Sequence, residues 1–410
     1  MANIAILGFG NIGSGVLEVL RRNADSVARR AGQPVQVRYI LDVRDFSSSP
    51  DAPLFVKTID EILADETVTL VVETIGGTRF AYPYVKACLE SGRSVCTSNK
   101  ELVAMHGAEL IALARSKGCA FLFEASVGGG TPLLAPMHQS LAADVICEVQ
   151  GIVNGTTNFM LTKMEKEGYD FDAALKLAQQ LGYAETKDPG DDVDGRDAAR
   201  KIAILASLAS GRHIYPQSLP ARGIRDVTPA DMAHARELGC AIKLIAWAKR
   251  GADGQFNAGV EPMLVPLTSQ LSGVSDVYNA ILIKGEMLGD VMFYGKGAGK
   301  LPTASAVVAD VIEALKVGSQ VHDTLYWREE APAEGVVLSG EENTYYVRVE
   351  GIDPKAAAIS AGFADCSVMR FSSDDTAVLN VTAAPAVLAA GLEAIRAAGG
   401  TVGAVLRYLS

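Results

Sequence analysis

The chain has 410 residues, of which 49% are hydrophobic and 21% charged, and its formal net charge is −11. That is the composition of a globular protein with room for two or three units, each burying its own core, and it excludes a largely disordered chain. The acidic balance argues against nucleic acid and anionic lipid as partners, and no apolar run approaches the roughly 20 residues that span a membrane.

The opening MANIAILGFGNIG reads as a strand and a turn, since it lacks the basic start of a signal peptide. The pattern then alternates apolar strand-like runs with amphipathic helices: Asn3 to Leu7, Gly13 to Ala31, Val35 to Leu41, Ile59 to Ala64, Thr69 to Glu73, Pro83 to Ser91 and Ser94 to Thr97. Continuous apolar strands spaced by helices predict a parallel sheet covered on both faces, a Rossmann-type doubly wound α/β unit. From about Leu134 the predicted elements change to an α+β pattern, over Asp144 to Asn154, from Asn158, over Phe171 to Leu181, over Asp197 to Ser210, and a strand near Ala258 to Val265. The glycine-rich Gly295 to Gly299 and an apolar helix Ala304 to Val317 predict a return to the first unit. The tail reads strand, helix, strand, strand, helix, strand between Thr344 and Leu409, a βαββαβ ferredoxin-like unit predicted to fold separately. The predicted division is 1–133 with 297–328 as the first unit, 134–296 as the second, 329–343 as linker, and 344–410 as tail. The six cysteines form no CxxC pair, which predicts free thiols in a reducing cytoplasm, and the five dispersed histidines receive no catalytic role.

The sharpest local fingerprint is Gly8-Phe9-Gly10-Asn11-Ile12-Gly13, placed after a strand and opening a helix. Gly8 permits the tight turn, Gly10 lets backbone approach a pyrophosphate, and Gly13 lets helix and strand pack closely, so a dinucleotide is the predicted ligand. At the end of the second strand stand both Asp42, which suits a ribose 2′-hydroxyl and NAD, and Arg44, which suits a 2′-phosphate; Arg44 and NADP are favoured and NAD stays open. A second constellation runs Glu185, Asp188, Asp191, Asp192, Asp197, Lys201. Asp197 and Lys201 are four apart and share a helix face, so they can meet as an ion pair. Reducing an aldehyde with hydride creates an alkoxide that needs a proton, and an ammonium held in a cleft can donate it. The surrounding carboxylates suit a substrate bearing an ammonium group; the plainer reading is a solvated acidic loop.

The runs Gly182 to Lys201 and Gly151 to Phe159 resemble signatures of homoserine dehydrogenases, as do Thr97 to Lys100, Glu124 to Pro132 and Gly295 to Ala304, together covering about residues 1 to 320. The resemblance implies NAD(P)-dependent interconversion of L-homoserine and L-aspartate 4-semialdehyde in a homodimer or higher homo-oligomer. Lys201 then matches the catalytic lysine, Asp197 its companion carboxylate, and Lys100 a second lysine near nicotinamide and substrate. Glu185 and Asp192 match positions that hold the amino acid, with Asn154, Gly155 and Thr156 lining the site. Ser98, Lys100, Gly297 and Gly299 join the glycine fingerprint and Arg44 on the cofactor side. Glu124, Val127, Gly129 and Thr131 fall where family members hold a monovalent cation, Na+ or K+. The signature carries one additional residue between Glu185 and Asp192. The tail resembles an ACT domain in element order, but its first strand–helix junction reads Asp353-Pro-Lys-Ala where many members place an aspartate followed shortly by glycine, so weak amino acid feedback is expected. The rival of another class is a non-catalytic sensor that binds cofactor and an amino acid.

Overall fold

The computed structural model describes residues 1–329, 341–374 and 376–409; most of the predicted linker lies outside them. Six strands form a wholly parallel sheet: β1 (Ala2–Leu7), β2 (Val35–Leu41), β3 (Phe55–Val56), β4 (Val68–Glu73), β5 (Ser94–Thr97) and β6 (Phe121–Leu122), in the order β3-β2-β1-β4-β5-β6. Strand order reverses between β1 and β4, the crevice where doubly wound sheets bind ligands beyond the strands' carboxyl ends. Its central strands are mostly apolar because helices cover both faces: in β1, Ile4, Ala5, Ile6 and Leu7 are all buried, while β2, nearer the edge, exposes Gln36 and Arg38. The predicted helix from Gly13 to Ala31 is two helices, Asn11–Arg22 and Ala24–Ala31, broken at Asn23. The long helix Lys100–Lys117 was not among the predicted elements; half of its buried residues are the small Ala104, Gly107, Ala108 and Ala114, which give its buried side little apolar contrast.

The second sheet has nine strands: β7 (Ile146–Ile152), β8 (Cys240–Arg250), β9 (Phe256–Pro266), β10 (Tyr278–Gly285), β11 (Gly289–Lys296), β12 (Asn343–Glu350), β13 (Asp365–Arg370), β14 (Ala377–Ala383) and β15 (Thr401–Tyr408). Their order is β11-β10-β7-β8-β9-β15-β12-β14-β13. Only β7 and β9 were foreseen in the middle block. In β8 the run CAIKLIAWA is buried almost throughout and shows no period of two; even Lys243 is buried, with Nζ donating to the Val274 carbonyl at 2.8 Å.

The tail shows the βαββαβ order with a core of its own around Tyr345, Val347, Val349, Leu379, Val381 and Ile395. It is not self-contained, however. β15 runs parallel to β9, with Arg407 opposite Met263 and Tyr408 opposite Leu264, so tail and middle block share one sheet. The opposite face of β12 carries Tyr346 and Arg348 into the helix Pro229–Glu237, where Tyr346 Oη donates to Asp231 at 2.7 Å and lies 2.7 Å from His234 Nδ1. Arg348 Nε donates to the same carboxylate at 3.0 Å. Among the described residues no helix is long and apolar enough to cross a membrane.

Candidate active site

The glycine turn has the geometry its sequence predicts. Gly8 sits at φ +89°, and a Cβ on Gly13 would lie 2.0 Å from the Gly8 carbonyl oxygen, so neither position accepts a larger residue unstrained. The space at Gly10 is open, and Gly10 caps the helix Asn11–Arg22, whose unpaired N–H groups face it. Helix Lys300–Val317, capped by Gly299 at φ +130°, packs on that helix where Gly15 leaves room for Ala304. Gly297 lies against Gly129, bringing the Gly295–Gly299 loop to the bend after β6.

At the end of β2, the buried Asp42 carboxylate accepts the Phe9 N–H at 2.7 Å and the Arg44 side chain twice, at 3.0 and 2.7 Å. The Arg44 guanidinium beside it holds Asp42 well below the usual carboxylate range. Arg44 still exposes 57% of its side chain and lies over the Phe46 ring at 5.2 Å. Lys57, which the sequence did not single out, donates to the Asp42 and Arg44 carbonyls at 3.2 and 2.6 Å and adds a second positive charge there.

The side chains of Asp197, Lys201 and Lys100 meet between the two sheets. Asp197 and Lys201 lie on the first turns of helix Arg196–Ser210, and Lys201 Nζ donates to Asp197 Oδ2 at 2.8 Å and to the Val153 carbonyl at 2.7 Å. The other oxygen of Asp197 is paired with Lys100, the first residue of the helix after β5. Asn154 completes the arrangement. Its Oδ1 accepts the Thr157 N–H at 2.8 Å, capping helix Gly155–Glu167, which fixes the amide so that Nδ2 donates to Asp192 at 2.7 Å and Asp197 at 2.9 Å. Thr156 Oγ1 donates to the Tyr183 carbonyl at 2.7 Å, anchoring the segment that leads to Glu185. Glu185 itself is exposed, held through its carbonyl by Gln179 at 2.9 Å, and its carboxylate is not brought into the lysine cluster.

Burial alone would raise the Asp197 carboxyl, but Lys201 and Lys100 overcome it and hold Asp197 well below its ordinary range. Burial lowers the Lys201 ammonium, against the pull of Asp197 and with help from the charge of Lys100. Burial raises Asp192, and the nearby Asp197 charge raises it further. A lysine pulled down towards neutrality exchanges a proton more readily than an ordinary one, and a buried carboxylate pushed up favours an arriving cation.

In the bend Glu124–Thr131 the Thr131 N–H donates to the Gly128 carbonyl at 2.9 Å. The Glu124 carboxylate faces elsewhere, accepting the N–H groups of Leu133, Leu134 and Ala135. The Thr131 and Ser126 hydroxyls and both polar atoms of the Asn279 amide are buried without a protein partner, with Thr131 against Gly295 and Asn279 against Gly297. Among the described residues no cluster of His, Cys, Asp or Glu could hold a metal ion.

Two family models match: "Homoserine dehydrogenase" over residues 132–312, and "Homoserine dehydrogenase, NAD binding domain" over residues 8–124. Homoserine dehydrogenase of Mycobacterium leprae is 43% identical over 319 residues, 76% of this chain and 72% of the relative. That of Bacillus subtilis is 40% identical over 317 residues, again 76% and 72%. The fold is similar to a homoserine dehydrogenase crystal structure from Thiobacillus denitrificans at TM-score 0.89 and 32% identity, covering 100% of this chain and 98% of that one. It is also similar to a hyperthermophilic archaeal homoserine dehydrogenase in complex with NADPH, at TM-score 0.65 and 29% identity, over 76% of this chain and 97% of that one.

Proposed function

The chain belongs to the homoserine dehydrogenase family, and we propose that Lys201 is the proton-transfer group of an NADP-preferring enzyme interconverting L-homoserine and L-aspartate 4-semialdehyde. The observation that carries this is the buried Lys201–Asp197–Lys100 cluster, assembled from both sheets' elements. The nicotinamide cofactor, when bound, accepts or returns hydride at its ring. In the oxidative direction Lys201, in its neutral form, takes the proton of the substrate hydroxyl; in reduction its ammonium returns that proton to the carbonyl oxygen. Asp197 orients Lys201 and, through its other oxygen, Lys100. Asp192, held by Asn154, and Glu185 on its exposed segment receive the substrate's α-ammonium, while the Gly155 and Thr156 backbone lines the site. This machinery serves chemistry that a non-catalytic sensor would not need.

Gly8, Gly10, Gly13, Ser98, Gly297 and Gly299 form the backbone that would face the dinucleotide, and the open space at Gly10 suits a pyrophosphate. Arg44, stacked on Phe46 and neutralising Asp42, together with Lys57, supports NADP over NAD, and the NADPH held by the archaeal relative agrees. The carbonyls of Glu124, Val127, Gly129 and Thr131 would hold a monovalent cation, a reading supported by the orphaned Thr131 hydroxyl and Asn279 amide beside them. We place dimerisation on the middle block, where Met287, Leu288, Met292 and Tyr294 on or beside β11 are exposed apolar residues, and the enzyme in the reducing cytoplasm that six free cysteines suit. The division into 1–133 with 297–328, 134–296 and 344–410 remains our proposed domain organisation. Initial rates of L-homoserine oxidation with NADP and with NAD test the reading: turnover favouring NADP supports it, and absence of oxidation with either overturns it.

A further inference from the structure

A carboxylate that the reaction does not use lies beneath the cofactor side of the site. Glu73 ends β4 with 0% exposure. Its Oε1 accepts the N–H groups of Ile75 at 2.6 Å and Gly76 at 3.3 Å, and its Oε2 accepts the Thr97 hydroxyl at 2.5 Å. The Thr97 oxygen in turn accepts the Asn99 N–H at 2.9 Å, which leaves its own proton pointed at Glu73. Asn99 closes the ring: Nδ2 donates to the Gly77 carbonyl at 2.6 Å, and Oδ1 accepts the Leu102 N–H at 3.1 Å, capping the helix that begins with Lys100. Every neighbour donates to Glu73, so it is an acceptor only.

The turn held this way abuts the glycine fingerprint. Thr74 Oγ1 donates to the Gly8 carbonyl at 2.9 Å, and a Cβ on Gly8 would sit 3.0 Å from the Ile75 nitrogen. The ring therefore joins the backbone under the dinucleotide to the cap that aims Lys100 at Asp197. Burying a carboxylate is costly even when it is fully hydrogen-bonded, and an apolar residue would complete the strand more cheaply. Burial indeed pushes the Glu73 carboxyl above its ordinary range, against the donors from Thr97, Ile75, Gly76 and Asn99. We propose that Glu73 is a positioning residue that locks the Thr74–Gly77 turn and the Asn99 cap into one unit, fixing the cofactor's seat relative to Lys100; this rests on the active-site reading above.

The test uses the full chain. Glu73→Gln keeps the shape but presents an NH2 where an acceptor is needed, so one side of the ring opens. The apparent KM for NADP and the equilibrium Kd for NADPH, read by fluorescence titration, should each rise about tenfold, while KM for L-homoserine stays within about twofold. Thr97→Val should move the cofactor constants in the same direction, and Thr97→Ser, which keeps the hydroxyl, should return them to within about twofold of wild type. A folded Glu73→Gln protein with wild-type cofactor constants overturns the proposal. So does a loss that appears only as lower kcat with both KM values unchanged, the mark of fewer folded sites, or a Thr97→Ser protein no better than Thr97→Val. Should Glu73→Gln fail to fold, the Thr97 pair decides the matter. A wild-type protein that binds NADPH without oxidising L-homoserine would defeat the activity reading and leave the titration as the judge of Glu73.

Discussion

Asp197→Asn isolates the charge that holds the two lysines, since asparagine keeps the size and can still accept from Lys201. Removing one partner of a buried pair costs about 3–5 kcal/mol. The Lys100 side chain is 41% exposed, so water screens its share, whereas Lys201 exposes only 11% and depends on Asp197 for nearly all its compensation. We therefore take about 2–3 kcal/mol as the change felt at Lys201. That loss lowers the Lys201 ammonium further, beyond the lowering that burial already imposes. Oxidation needs the neutral amine, so its rate climbs with pH through the Lys201 titration. In the variant that climb should move to lower pH, and in the reductive direction the fall in rate should move the same way. The plateau kcat should also drop by about tenfold or more, because a neutral amide oxygen aims the amine less firmly than a carboxylate. The assay is a pair of pH–rate profiles, one in each direction. Profiles superimposable on wild type would refute the claim that Asp197 sets the lysine's charge. Stability gives an independent sign: Asp197 is held below its unfolded value of about 3.9, so its contribution is present above that pH and lost as pH falls towards the folded pKa.

Arg44→Ala should weaken NADP binding by about 1.5–3 kcal/mol and change NAD binding little, checked by titration with each cofactor; equal losses would give Arg44 a structural part through Asp42. Tyr346→Phe should destabilise the whole chain by about 1–3 kcal/mol in chemical denaturation, since it leaves the buried Asp231 and His234 each short of a partner, and a change under about 0.5 kcal/mol would show that tail and body are energetically separate. Threonine at millimolar concentration should alter the rate by less than about twofold, a coupling under roughly 0.4 kcal/mol, because Asp353 caps a helix that begins Pro-Lys-Ala with no glycine following the aspartate to cradle a ligand; cooperative inhibition would contradict this.

What the sequence disclosed and what it hid divide along physical lines. Gly8, Gly10 and Gly13 were legible because the constraint is local, one turn of backbone that only glycine completes. Asp197 and Lys201 were legible because a helix places residues four apart on one face. That Lys100 lies near the site was expected only through a family resemblance, and its pairing with Asp197 was not foreseen at all, since it spans both sheets and no periodicity encodes it. Glu73 gave no signal because Val-Val-Glu reads as an apolar strand ending in a polar residue, and its acceptors' partners lie two to 24 residues away. β8 escaped because burial on both faces erases alternation. The joining of β15 to β9 escaped for a different reason: edge pairing is made by backbone groups that every residue carries. That junction also alters an expectation, because a tail with its own core is nevertheless built into the body's sheet.

The central claim, that Lys201 moves the proton, is tested most directly by Lys201→Ala, assayed for L-homoserine oxidation with NADP after NADPH titration and thermal unfolding have shown that the protein is folded and binds cofactor. The account predicts a kcat lowered by about 10² or more with cofactor affinity retained. Turnover near that of the wild type would remove Lys201 from the mechanism.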